Sequence, residues 1–219
     1  MKTETKRKLL SIFFPERCPY CRDVIRPCEL YCKECKDKIP ENTYKKKISG
    51  VYEVMSVVPY DDIFKDAIFR LKFNKLEQYA YPIANLMAEK LKKEFEVLSF
   101  DVITFVPLHP DDLKERGFNQ CELLAKFISD ALVIPYEALI KKTKKNKPQH
   151  TLDRSKRQKN VEGVFRPKDK RSIKGKRVLI IDDIVTTGCT LSECAKILEE
   201  NGALEIYMMT FAISRPKTT

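Results

Sequence analysis

Two groups of residues in this 219-residue chain have types and spacings that can do chemistry. The first is Val178-Leu179-Ile180-Ile181-Asp182-Asp183-Ile184-Val185-Thr186-Thr187-Gly188-Cys189-Thr190. It reads as a buried strand, two adjacent acids, a small hydroxyl-bearing turn, and the start of a helix. Ligands of parallel sheets gather at the carboxyl ends of strands. Unpaired N–H groups at a helix start favour a phosphate. Gly188 permits close backbone approach, and Thr186, Thr187 and Thr190 add hydroxyl donors, with Cys189 inside the same turn. Carboxylates repel that phosphate, so Asp182 and Asp183 suit instead the hydroxyls of a ribose or a divalent cation. The pattern is neither G-x-x-x-x-G-K-[ST] nor G-x-G-x-x-G.

The second group is Cys18-Pro-Tyr-Cys21 and Cys32-Lys-Glu-Cys35, two C-x₂-C pairs separated by ten residues. Four thiolates so spaced give a closed tetrahedral zinc site, structural rather than catalytic, whose loss should unfold its module. Cys28 is surplus, read as a small buried thiol or a substitute ligand. Cys121 and Cys194 read as core residues of helices.

These groups need elements to hold them. The first ~45 residues are punctuated by Pro15, Pro19, Pro27 and Pro40 and lack a helical period, so metal must replace a core there. The run Lys45-Lys46-Lys47 marks a boundary, dividing the chain into a zinc module with linker (1–48) and a main domain (49–219). Val51–Val58 predicts a strand, Asp62–Lys72 and Gln78–Leu98 helices, and Val102–Val106 a short apolar strand. Asn119–Leu132 predicts a helix, Glu137–Ile140 a strand, Arg177–Ile181 a strand, Leu191–Glu200 a helix capped by Gly202, and Leu204–Ile213 a last strand. Uninterrupted apolar strands alternating with helices predict an α/β domain with a parallel sheet.

The Asp182–Thr190 stretch resembles the signature of the type I phosphoribosyltransferase family. The resemblance implies an open parallel sheet with a flexible hood. It also implies Mg²⁺-phosphoribosyl pyrophosphate as ligand, with the two acids at the 2′ and 3′ hydroxyls. Hypoxanthine and guanine enzymes of that family carry an Asp where this chain has Thr186, which speaks against purine salvage. The turn Pro107-Leu108-His109-Pro110 ends a neighbouring strand, so Leu108 and His109 are candidates for the pyrophosphate, with Lys72 and Arg116 as charge partners.

The charge is concentrated. Between Lys141 and Arg177 stand sixteen Lys and Arg and three acids, a local +13 in a chain of net +11. That segment predicts a polyanionic partner, either pyrophosphate under a closing hood or a nucleic-acid backbone. Its candidates are Lys141, Lys142, Lys144, Lys145, Lys147, Arg154 and Arg157. No apolar run approaches the ~20 residues of a membrane span. Lys6-Arg7-Lys8 followed by Leu9–Phe14 is too short for a secretory signal and lacks a cleavage site, so the expectation is a cytoplasmic protein with unpaired thiols.

Several separated motifs together narrow the family. They are the four-cysteine module, Pro107–Pro110 with Arg116-Gly117-Phe118-Asn119-Gln120, Pro148-Gln149 with Arg154, Arg157 and Asn160, Gly163-Val164-Phe165, and the Asp182–Thr190 loop. Their combination resembles the ComF family of competence proteins. That resemblance implies a role in DNA uptake during natural transformation, handling single-stranded DNA on the cytoplasmic side, with competence machinery at the membrane as a further partner, on a phosphoribosyltransferase fold without a settled reaction. The preferred expectation is a protein that binds phosphoribosyl pyrophosphate and single-stranded DNA. The alternatives are an active phosphoribosyltransferase and a nucleotide-sensing regulator. The sequence leaves the oligomeric state open.

Overall fold

The computed structural model describes residues 15–73, 76–95, 100–145 and 160–214. Its centre is a five-stranded sheet built from β1 (Tyr44–Ile48), β2 (Tyr52–Pro59), β3 (Val102–Phe105), β6 (Arg177–Val185) and β7 (Glu205–Ile213), in the order β1-β2-β7-β6-β3. Strands β2, β7, β6 and β3 run parallel. The sheet is nonetheless mixed, because β1 adds antiparallel to β2 at the edge, Tyr44 opposite Ser56 and Ile48 opposite Tyr52.

Side-chain alternation along β6 splits the core in two. Leu179 and Ile181 join one cluster with Leu71, Ile83, Leu91, Leu124 and Ile128. These come from α2 (Asp62–Phe73), α3 (Ala80–Glu94) and α5 (Gln120–Leu132). Val178 and Ile180 face the other cluster, with Leu191 and Leu198 of α6 (Cys189–Glu200) and with Phe165. Phe165 lies on a two-stranded ribbon, β4 (Ile140–Lys142) against β5 (Phe165–Pro167). A strand buried on both faces must be apolar throughout, which is why β6 reads so plainly until its acids.

Two differences from the sequence reading bear on function. Strand β6 does not stop before the acids but continues to Val185, so Asp182 and Asp183 are strand residues held by pairing with Thr210 and its neighbours on β7. A helix also follows the turn after β3: α4 (Pro110–Arg116), with Pro at its first position, His109 as N-cap and Gly117 in the left-handed region at φ 92°.

The N-terminal residues pack directly on the sheet domain. Short helix α1 (Lys33–Lys36) carries Cys35. Tyr20 is buried, stacked on Phe211 at 6.3 Å and edge-on to Phe64 at 5.2 Å. Arg70 of α2 donates to the carbonyls of Pro19 and Tyr20 at 3.0 and 2.9 Å. Lys90 of α3 donates to the carbonyl of Pro40 at 2.7 Å and to that of Glu41.

Candidate functional site

The acid pair sits at the carboxyl end of β6 in a dense polar network. Asp183 is buried, and Lys72 from the last turn of α2 contacts both its carboxylate oxygens at 2.8 Å. Gln120 Nε2 donates to Asp183 Oδ2 at 2.7 Å, and Arg116 in turn donates to Gln120 Oε1. Asp182, half-buried, accepts from the Cys121 thiol at 3.2 Å and from the Asp183 N–H at 2.9 Å. The first turn of α5 supplies Gln120 and Cys121 because Asn119 caps it. Its side chain accepts from the Cys121 N–H at 2.9 Å and donates to the Val106 carbonyl at 3.0 Å.

Electrostatics separate the two acids. Burial, and then the charge of Asp183, push the Asp182 carboxyl up to about 7 against the partial opposition of Lys72. Burial of Lys72 works against its ammonium, but the Asp183 carboxylate outweighs this and holds the lysine above its ordinary value. An acid whose folded pKa exceeds its unfolded one binds protons better when folded. Its contribution therefore favours the fold at low pH and is lost as pH rises toward 7. Asp182→Asn is accordingly expected to raise the melting temperature of the ligand-free protein by roughly 3 °C more at pH 8 than at pH 5. Paired thermal melts check this, and an equal gain at both pH values would show an ordinary carboxyl.

Beyond the acids the chain makes a three-residue turn, Thr186, Thr187 and Gly188, into α6. Thr186, Thr187, Cys189 and Thr190 are part-exposed, and Thr187 Oγ1 donates to Cys189 Sγ at 3.1 Å. Gly188 is the N-cap at φ 87°, and a Cβ there would lie 2.3 Å from Cγ2 of Ile48. Strand β1 thus forms the floor of the turn, and its Lys46 donates to the Thr186 carbonyl. Gly188→Ala is expected to destabilise the protein by about 2–3 kcal/mol through overpacking and backbone strain together. In an Ile48→Ala background the same change should cost only the backbone share, as denaturant titration of the native chain, the two single variants and the double would show.

The turn after β3 comes alongside the acids, because β3 and β6 are paired up to Phe105 and Ile181 and the Val106 N–H donates to Ile181. Leu108 and His109 are part-exposed there. His109 Nδ1 accepts from the Asp111 N–H at 3.3 Å. That bond leaves the other ring nitrogen as the N–H donor of the neutral ring. Lys141 and Lys142 lie in β4. Lys142 is 3.8 Å from Asp112 and Lys145 3.9 Å from Asp111, while Lys141, Lys144 and Lys145 are exposed. Lys147, Arg154 and Arg157 lie outside the described residues.

The four cysteines of the N-terminal module converge. The sulfurs of Cys18, Cys21, Cys32 and Cys35 all lie within 4.8 Å of one another, with Cys21 and Cys32 at 3.5 Å. A tetrahedral zinc ion with Zn–S bonds of about 2.3 Å fits such a cluster. Burial alone would raise the Cys18 thiol, yet backbone N–H groups of Cys21, Cys32 and Tyr20 aimed at the sulfur bring it below its ordinary value. Burial, with neighbouring sulfurs adding to it, pushes Cys35 up to about 12. A divalent metal would remove that conflict by binding all four as thiolates. Cys28 stands apart, at φ 72° and part-exposed, rather than as a buried thiol.

Three site residues escaped the sequence reading. Gln120 figures there only within the Arg116–Gln120 motif, without a role, and Cys121 as a core residue, because no local signal separates a polar network at a helix start from packing. Lys46 lay within a charge run that reads as linker, although the alternation Tyr44, Lys46, Ile48 is itself a strand pattern. Among the described residues no helix is long and apolar enough to cross a membrane.

Comparison with known proteins finds relatives in sequence and neighbours in structure. The family model of the phosphoribosyl transferase domain matches residues 119–219, which contain α5, both acids and the Thr186–Gly188 turn. The competence protein ComFC of Streptococcus pneumoniae is 32% identical over 206 residues, covering 91% of this chain and 81% of that protein. The DNA utilization protein YhgH of Escherichia coli (strain K12) is 28% identical over 195 residues, covering 87% and 81%. Among solved structures, adenine phosphoribosyltransferase from Saccharomyces cerevisiae superposes with a TM-score of 0.42 at 18% identity. That match covers 81% of this chain and 86% of the yeast chain.

Proposed function

The chain belongs to the ComF family of competence proteins, and from that premise we propose that it binds phosphoribosyl pyrophosphate with Mg²⁺ and handles single-stranded DNA in the cytoplasm during natural transformation. The observation that carries the ligand half is the acid pair at the end of β6, separated from a helix start by only Thr186, Thr187 and Gly188. The 5′-phosphate takes the backbone N–H groups and hydroxyls of Thr186–Thr190. Asp182 and Asp183 accept from the ribose hydroxyls. Lys72, Arg116, His109 and the backbone at Leu108 face the pyrophosphate. Two adjacent carboxylates suit a hard cation such as Mg²⁺, which when bound would neutralise pyrophosphate charge.

The DNA half is supported by charge beyond the needs of one small ligand. Lys141 stands directly opposite Arg166 in the β4–β5 register, and with Lys170 they set three cations against one carboxylate, Glu200, along one groove. Like charges facing each other across a ribbon repel unless an anion lies between them. Relatives carry the words competence and DNA utilization in their names.

Calorimetric titration with Mg²⁺-phosphoribosyl pyrophosphate, with and without a single-stranded oligonucleotide, tests both halves. Saturable heat from each is expected, with oligonucleotide affinity falling steeply as salt rises. Absence of heat with the small ligand would remove the first half, and a flat salt response the second. The match to a phosphoribosyl transferase domain favours a second reading, transfer of the phosphoribosyl group to a base or amine. Pyrophosphate release on offering a panel of nucleobases distinguishes the two.

A further inference from the structure

Phe69 and Phe73 lie one turn apart on α2 and are 54% and 57% exposed, whereas Phe64, Ala67, Ile68 and Leu71 of the same helix are buried. Their ring centroids are 5.0 Å apart at a tilt of 43°. The Arg116 guanidinium lies 5.5 Å from the centroid of Phe73. Three planar groups therefore stand in a row at the surface. Large apolar side chains clustered in water, rather than scattered, mark a surface built for a partner.

The row abuts the acid pair. Lys72, next to Phe73 in the chain, holds Asp183, and Arg116 reaches the same carboxylate through Gln120. Accepting that the chain handles single-stranded nucleic acid, we infer that Phe69, Phe73 and the Arg116 guanidinium form the stacking platform for its bases. Unpaired bases stack on aromatic rings and on guanidinium planes, irrespective of sequence. An open row suits a strand passing over it. A second copy of this chain is a poor occupant, since two bodies of net charge +11 would meet with the Arg116 guanidinium of each in the contact.

The chain contains no tryptophan, so Phe73→Trp installs a single fluorescent reporter in the row. A twelve-residue oligothymidylate is expected to quench that emission, and an abasic oligomer of equal length to bind without quenching it. In the otherwise native chain, Phe69→Ala with Phe73→Ala should weaken oligothymidylate binding about tenfold and leave abasic binding unchanged. Binding without quenching, or a double variant that distinguishes the two oligomers as the native chain does, overturns the platform while DNA handling stands. A native chain that binds neither oligomer removes the underlying reading, and the platform with it. Emission that shifts with protein concentration alone overturns the proposal in favour of a contact between copies.

Discussion

Cys18→Ser is expected to release metal from the N-terminal module and to lower the melting temperature of the whole chain by about 10 °C. The reach of the effect follows from packing. Cys18 is fully buried and belongs to the same apolar cluster as the sheet domain, and two residues later Tyr20 inserts against Phe64 and Phe211. The Tyr20 hydroxyl is buried with no hydrogen-bond partner among the described residues, a placement that costs about 1–3 kcal/mol. Packing on Phe64 and Phe211 and a rigid backbone on either side keep it there, and a metal held by the four sulfurs would supply that rigidity. Without the metal, Tyr20 should leave the core and open a cavity beside α2. Cys28→Ser, outside the sulfur cluster, should melt within about 2 °C of the native chain. Metal release followed with a chromophoric chelator, together with thermal melts, checks both. Identical behaviour of the two variants would show that the sulfurs hold no metal.

Asp183→Asn should abolish detectable binding of phosphoribosyl pyrophosphate, a loss of at least 100-fold, and should also destabilise the protein by about 3 kcal/mol. The second effect arises because Lys72 would be left with its charge in a buried setting, where removing one partner of an ion pair is far worse than removing both. Lys72→Gln combined with Asp183→Asn is therefore expected to recover most of the stability and none of the binding. Calorimetry and denaturant titration on the two variants separate the roles. If the double variant regained affinity, Asp183 would be a structural counterion and not a ligand for ribose.

What the sequence made legible, and what it hid, divides by mechanism. The apolar runs of β3 and β6 announce themselves because both faces are buried, and the hydroxyl-rich turn stands out because it interrupts such a run. Strand β1 was concealed by Lys45, Lys46 and Lys47, since lysines on an edge strand keep it from pairing with other chains and resemble a linker. Helix α4 buries none of its residues and so has no apolar stripe to read. Pro110 at its start and Gly117 at its end were the available signals. The Asp183 network depends on side chains brought from α2, α4 and α5. Spacing along the chain cannot report which of those helices turns a lysine or a glutamine toward a particular carboxylate.

Strand β1 has a consequence for how the protein can be taken apart. It leaves the cysteine-bearing segment, crosses the sheet edge, and ends with Ile48 lodged beneath Gly188. A gene cut at residue 49 would yield a product whose Thr186–Gly188 turn has lost its underlay, so cloning boundaries belong upstream of Thr43. By the same route, a metal at the four sulfurs and a ligand at the Thr186–Gly188 turn would share a common support, and each would be expected to tighten the other.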